Sequence, residues 1–199
     1  MKTYLIYILF AGLLTNNTKS CDINKSNFEE GGQMLSEAKF HENKILIVFY
    51  SRTGTTKKVA ETIASTLKCD MEEIVDMKSR KGLWGWIMSG KDATQNNLTT
   101  IKETTKSPDS YDLIIIGTPI WASKMTPAVR TYLSKNKEKI KNIAFFCTMG
   151  GSNAGNAFKD MEVFIGKQPI KTLELSAKEV AQGTYVQKVK DFTVEILKK

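Results

Sequence analysis

The sequence predicts an α/β fold: a doubly wound three-layer sandwich around a five-stranded parallel sheet. Three unbroken apolar runs, Ile45-Leu46-Ile47-Val48-Phe49-Tyr50, Leu113-Ile114-Ile115-Ile116 and Ile143-Ala144-Phe145-Phe146-Cys147, read as strands covered on both faces. Each run breaks abruptly into a polar or glycine-containing turn. Beyond each turn the apolar spacing changes to a helical period, and strands that alternate with helices build parallel crossovers.

The elements follow in chain order. After Gly54, residues Val59, Ala60, Ile63, Ala64 and Leu67 share one helical face, with Lys57, Lys58 and Glu61 opposite. Cys69 to Val75 is mixed in character and suits an edge strand. Met77 to Pro108 is irregular, and its one apolar cluster, Leu83 to Met88, puts Trp84, Ile87 and Met88 on one face of a short helix; lining a ligand is the competing reading. The strand from Tyr111 to Gly117 runs into Thr118 to Lys124. Thr126 then sits at an N-cap and Pro127 at the first helical position, with Val129, Tyr132 and Leu133 facing inward. Ile143 to Cys147 empties into Thr148 to Gly155, and a helix follows over Asn156–Ile165 with Phe158, Met161 and Ile165 inward. Ile170 to Leu175 alternates as the second edge strand, and a last helix from about Thr184 to Leu197 buries Tyr185, Val189, Phe192 and Ile196.

The turn after the first strand, Ser51-Arg52-Thr53-Gly54-Thr55-Thr56, collects hydroxyls at a helix amino terminus, where free N–H groups and the helix dipole favour an anion. No lysine of the Walker type follows the glycine, and there is no G-x-G-x-x-G. Neutral donors suit a monophosphate. Turn chemistry alone also selects Ser, Thr and Gly, so a plain capped helix is the competing reading.

This hexapeptide resembles the [S/T]-x-T-G-x-T phosphate loop of flavodoxins, which wraps the 5′-phosphate of FMN, and the resemblance extends from Lys44 to the carboxyl terminus. It implies a sheet of order 2-1-3-4-5, with FMN at the switch point where the first and third strands end; flavodoxin is itself the standard instance of that rule. It assigns the phosphate to Ser51, Arg52, Thr53, Gly54, Thr55 and Thr56. The loop Thr118, Pro119, Ile120, Trp121 and Ala122 would carry the aromatic that lies against the isoalloxazine, Trp121. Thr148, Met149, Gly150, Gly151 and Asn153 would cover its pyrimidine side. That last loop lacks the second aromatic that family members often supply. Family members also often place a glycine just after the stacking aromatic, where this chain has Ala122 and Ser123.

Residues 1–20 have the layout of a secretory signal: Lys2, an apolar stretch from Tyr4 to Leu14, then a polar end with Thr18 and Ser20 before Cys21. An amino-terminal element of the fold is the alternative. Cys21 resembles the lipidated cysteine of bacterial lipoproteins, which implies anchoring to a membrane through lipid; here Thr18 and Lys19 stand where the lipobox usually has Leu and a small residue. Residues 21–43 read as a tether, and 44–199 as the folded domain. The chain is expected to be exported, or cytoplasmic if the leader is not a signal.

The 29 lysines and arginines outnumber 21 acidic residues for a formal charge of +8, which falls to +6 once Lys2 and Lys19 leave with residues 1–20. A basic surface favours acidic partners or an anionic membrane, but no basic run is interleaved with aromatics as nucleic-acid modules require. Cys21, Cys69 and Cys147 form no C-x-x-C and His41 is the single histidine, so free thiols are expected and metal catalysis is not.

The three loops hold no His, Glu or Cys placed for acid, base or nucleophilic work, so the cofactor carries the chemistry. The expectation is an electron carrier serving redox partner proteins. The alternatives are an NAD(P)H-dependent quinone or flavin reductase on the same fold, and an exported flavin-binding lipoprotein without redox traffic. A response-regulator receiver shares the topology but needs acidic residues where this chain has Ser51-Arg52-Thr53.

Overall fold

A computed structural model describes residues 44–78, 90–151 and 154–198. Strands β1 (Ile45–Phe49), β2 (Asp70–Glu73), β3 (Leu113–Pro119), β4 (Asn142–Met149) and β5 (Thr172–Ser176) form one sheet in the order β2-β1-β3-β4-β5. Every pairing is parallel, as the continuous apolar runs require. Order and class are those expected from the sequence.

The central strands β1, β3 and β4 have no solvent face, so their side chains divide between two cores, while the edge strands β2 and β5 keep exposed residues. Ile45, Ile47, Phe49, Ile115 and Phe146 lie on one side with α1 (Thr55–Leu67) and the last helix, Tyr185–Leu197. Leu46, Val48, Tyr50, Ile114, Ile116 and Phe145 lie on the other with α2 (Pro127–Asn136) and α3 (Gly155–Ile165). This is the three-layer sandwich, and the inward residues expected of each helix are buried or packed against these cores. At Gly117 the β3 backbone passes so close to Phe146 that a Cβ would lie 2.1 Å from the ring. A side chain there has no room.

Boundaries differ from expectation where neighbouring strands lengthen one another. β3 and β4 run on through Pro119 and Met149 because Pro119 pairs with Thr148 and the Ile120 N–H donates to the Thr148 carbonyl at 2.9 Å. β2 is shorter than Cys69–Val75. Beyond it the chain closes a loop by an antiparallel bridge between Asp76 and Ile101, and the Glu72 carboxylate accepts from the Thr105 and Lys106 amides along the sheet edge. The expected helix over Leu83–Met88 lies outside the described residues; residues 90–94 are helical.

A short helix, α4 (Ala177–Gln182), was not expected, and α5 (Tyr185–Leu197) follows it. The signal for α4 is Ser176 with Glu179 three residues on, a reciprocal capping box. Too few apolar residues follow for periodicity to reveal it. Cys69 and Cys147 are free thiols, and burial pushes them up to about 11 and about 12. Neither ionises readily near neutrality.

Candidate cofactor site

Sheet register decides what converges. β1 and β3 put Phe49 beside Gly117, β3 and β4 put Pro119 beside Thr148, and the three following loops therefore open at one end of the sheet. They flank the point where strand order reverses, the crevice in which open α/β sheets bind ligands.

In the first loop Gly54 is the N-cap of α1 with φ +90°, a conformation open to glycine and strained for any side chain. Ser51 folds back under it. Its Oγ accepts from the Gly54 and Lys57 amides, both at 3.2 Å, closing the loop on itself. The amides of Thr55 and Thr56 have no partner among the described residues, and the Thr53 and Thr55 hydroxyls meet only each other, at 3.5 Å. Two free N–H groups and two exposed hydroxyls at a helix amino terminus make an anion cradle. Thr56 behaves otherwise: its side chain is buried and its Oγ1 lies 2.8 Å from the Thr148 Oγ1. That bond ties the first loop to the third.

In the second loop Trp121 and Lys124 exchange two backbone bonds of 3.0 Å around Ala122 and Ser123, which have φ +48° and +60°. This is the geometry of a two-residue primed turn, normally built from Asn and Gly. The indole is half-buried on the α2–α3 core, edge to face with Tyr50 at 5.7 Å, and the Arg52 guanidinium stands 6.0 Å from its centre. Arg52 thus joins the hydroxyl loop to the aromatic one. Thr118 and Ile120, by contrast, are buried in the framework, and the Thr118 hydroxyl bonds to the Pro119 carbonyl and lies 3.3 Å from that of Thr126. Thr126 occupies the N-cap of α2 without making a side-chain cap bond.

In the third loop Thr148 and Met149 are buried, while Gly150 and Gly151 are exposed and leave open space where a Cβ would stand. Asn153 lies outside the described residues. By burial the expected residues within the described segments fall into two sets: Ser51, Arg52, Thr53, Gly54, Thr55, Pro119, Trp121, Ala122, Gly150 and Gly151 are exposed or half-buried at this end of the sheet, whereas Thr56, Thr118, Ile120, Thr148 and Met149 are buried.

Sequence reasoning missed Asp160 and Arg130. The Asp160 carboxylate on α3 takes Lys124 of the turn on one oxygen, at 3.3 Å, and Arg130 of α2 on the other, at 2.5 Å. No spacing rule links residues 124, 130 and 160.

A family model described as Flavodoxin matches residues 44–189. Among solved structures, the chain is 26% identical to a flavoprotein in complex with FMN from Lactobacillus acidophilus NCFM, with a TM-score of 0.60 over 71% of this chain and 99% of that one. The apo form of the flavoprotein from the same organism is 24% identical, with a TM-score of 0.52 over 70% and 96% of the two chains. Two-electron reduced flavodoxin from Megasphaera elsdenii is 17% identical, with a TM-score of 0.52 over 78% and 99%. The last two likenesses speak for the fold alone. No curated protein matches the chain.

Proposed function

We propose that this chain, which belongs to the flavodoxin family and takes FMN as its cofactor, is an electron carrier that serves redox partner proteins. The observation that carries the reading is the cradle at the start of α1, where the Thr55 and Thr56 amides have no partner among the described residues and the Thr53 and Thr55 hydroxyls meet only each other around a left-handed Gly54. A phosphate monoester fits that donor set, which offers neutral hydrogen bonds and the positive end of a helix. Bound there, FMN supplies the one- and two-electron chemistry. The chain's own part is binding and placement. Trp121 offers a flat apolar face to the ring, and the exposed backbone of Gly150 and Gly151 lets its polar edge approach closely. Arg52 adds positive charge between phosphate and ring.

Export is part of the proposal, with residues 1–20 as a signal and a lipid on Cys21 as the anchor. The support is the leader itself, which has the signal layout of a basic residue, an apolar stretch and a polar end before Cys21. The basic composition favours acidic partners.

One purification tests the core of this. The protein should be yellow, or bind added FMN at micromolar concentration, and accept electrons from a reductant without sustained NAD(P)H oxidation. A colourless protein that refuses FMN overturns the cofactor, and steady turnover of NAD(P)H with a quinone overturns the carrier in favour of a reductase. Intact mass after expression in a bacterium should show residues 1–20 removed; a full-length mass from the membrane or medium overturns the signal.

A further inference from the structure

We infer that Asp160 and Lys124 are positioning residues for the cofactor's aromatic wall: a half-buried carboxylate holds the turn that presents Trp121. The inference deepens the proposed function and rests on it for the identity of what Trp121 meets.

The turn needs holding. Ala122 and Ser123 both sit at positive φ, +48° and +60°, and neither is the glycine or asparagine that occupies such positions without penalty. Strained backbone persists where the surroundings over-determine it. The two 3.0 Å bonds between Trp121 and Lys124 close the turn but do not fix its angle to the sheet. On the amino-terminal side that angle is set by the Ile120 amide on the Thr148 carbonyl. On the carboxyl-terminal side buried Met125 and the Thr126 amide, which donates to the Thr118 Oγ1 at 3.3 Å, hold the chain beyond the turn, and the Lys124 ammonium on Asp160 ties the turn itself.

Asp160 is itself anchored by a second cation. Its side chain is 16% exposed, and one oxygen is taken by Arg130, whose side chain is 7% exposed. Arg130 lies over the Phe164 ring at 4.9 Å and donates to the Asn96 side chain at 2.8 Å. So the second oxygen points to Lys124 because the first is already committed. The geometry runs from Asn96 through Arg130 and Asp160 to Lys124, and ends on a turn whose first residue is the indole. An exposed ion pair contributes little, but this one is half desolvated and its acceptor cannot turn away.

The test uses the full chain labelled with 5-fluorotryptophan, in which Trp121→Phe identifies the resonance of Trp121. Lys124→Ala should shift and broaden that resonance, weaken FMN binding about fivefold, the loss of one partly screened ion pair, and leave the thermal midpoint nearly unchanged. Lys124→Arg should restore both signals. Tyr111→Phe removes a bond at the opposite end of the sheet, from the Tyr111 hydroxyl to Asp70; it should lower the thermal midpoint slightly while the Trp121 resonance and FMN affinity stay at parental values. The inference is overturned if Lys124→Ala leaves the resonance where it was, or if Tyr111→Phe disturbs it equally. Failure of the parent to bind FMN would sink the proposed function instead, and the fluorine signal would still decide the positioning role.

Discussion

The hydroxyl loop at residues 51–57 and the aromatic turn at 120–124 face the same crevice, yet they are held in opposite ways. The first keeps its strain on one glycine and closes through Ser51, whose two partners lie three and six residues away. Its shape is local. The second puts positive φ on Ala122 and Ser123 and depends on Thr148, Tyr50 and Asp160, distant in sequence. A binding loop can therefore be written into a short peptide or imposed by the fold, and each kind fails differently.

The largest effect should come from the bond that joins the hydroxyl loop to β4. Thr148→Val leaves the buried Thr56 hydroxyl without its partner and should cost about 2 kcal/mol in denaturant unfolding. Thr56→Val with Thr148→Val should recover most of that, because neither polar group remains to be satisfied. A double variant as unstable as the single one would mean that the threonines act through packing.

Next comes a pair of opposite substitutions. Gly54→Ala forces a side chain to φ +90° and should destabilise by about 1.5 kcal/mol although nothing lies near its Cβ. Ala122→Gly relieves a strained residue and should stabilise by about 0.5 kcal/mol, the relief being partly offset by a more flexible unfolded chain. Opposite signs in thermal unfolding would sharpen the contrast. If both variants destabilise, the strain assigned to Ala122 is not real.

The smallest effect belongs to a third, locally capped region and serves as a reference. The Glu179 carboxyl is held down to about 2 from its ordinary 4.5, first by the Lys188 ammonium and then by the Ser176 amide and hydroxyl. Because the folded value lies below the unfolded one, this contribution is complete above about pH 4.5 and drains away as pH falls toward 2. Its side chain is partly exposed, so solvent screens the gain. Urea midpoints measured down that window should fall less steeply for Glu179→Gln than for the parent. Identical slopes would remove the cap from the account.

What could be read from the chain alone follows this same division. Strand runs such as Ile45–Phe49 announce themselves because burial on both faces leaves no polar residue to interrupt them. The hexapeptide at 51–56 announces its loop because a left-handed cap needs its glycine, and the serine three residues earlier closes it. The capping box at Ser176 is equally local, but its helix is six residues long and leaves no apolar period to mark it.

Sequence by itself thus determined the layer order, the strand-to-helix loops and the glycine turn that opens α1, since all of these depend on neighbours within one turn or one strand. Only the tertiary structure decided that Thr56 bonds to Thr148 instead of facing the crevice, that Trp121 leans on Tyr50, and that Asp160 reaches Lys124. Those contacts span 92, 71 and 36 residues, and residue type at one end says nothing about the other until the sheet register brings them together.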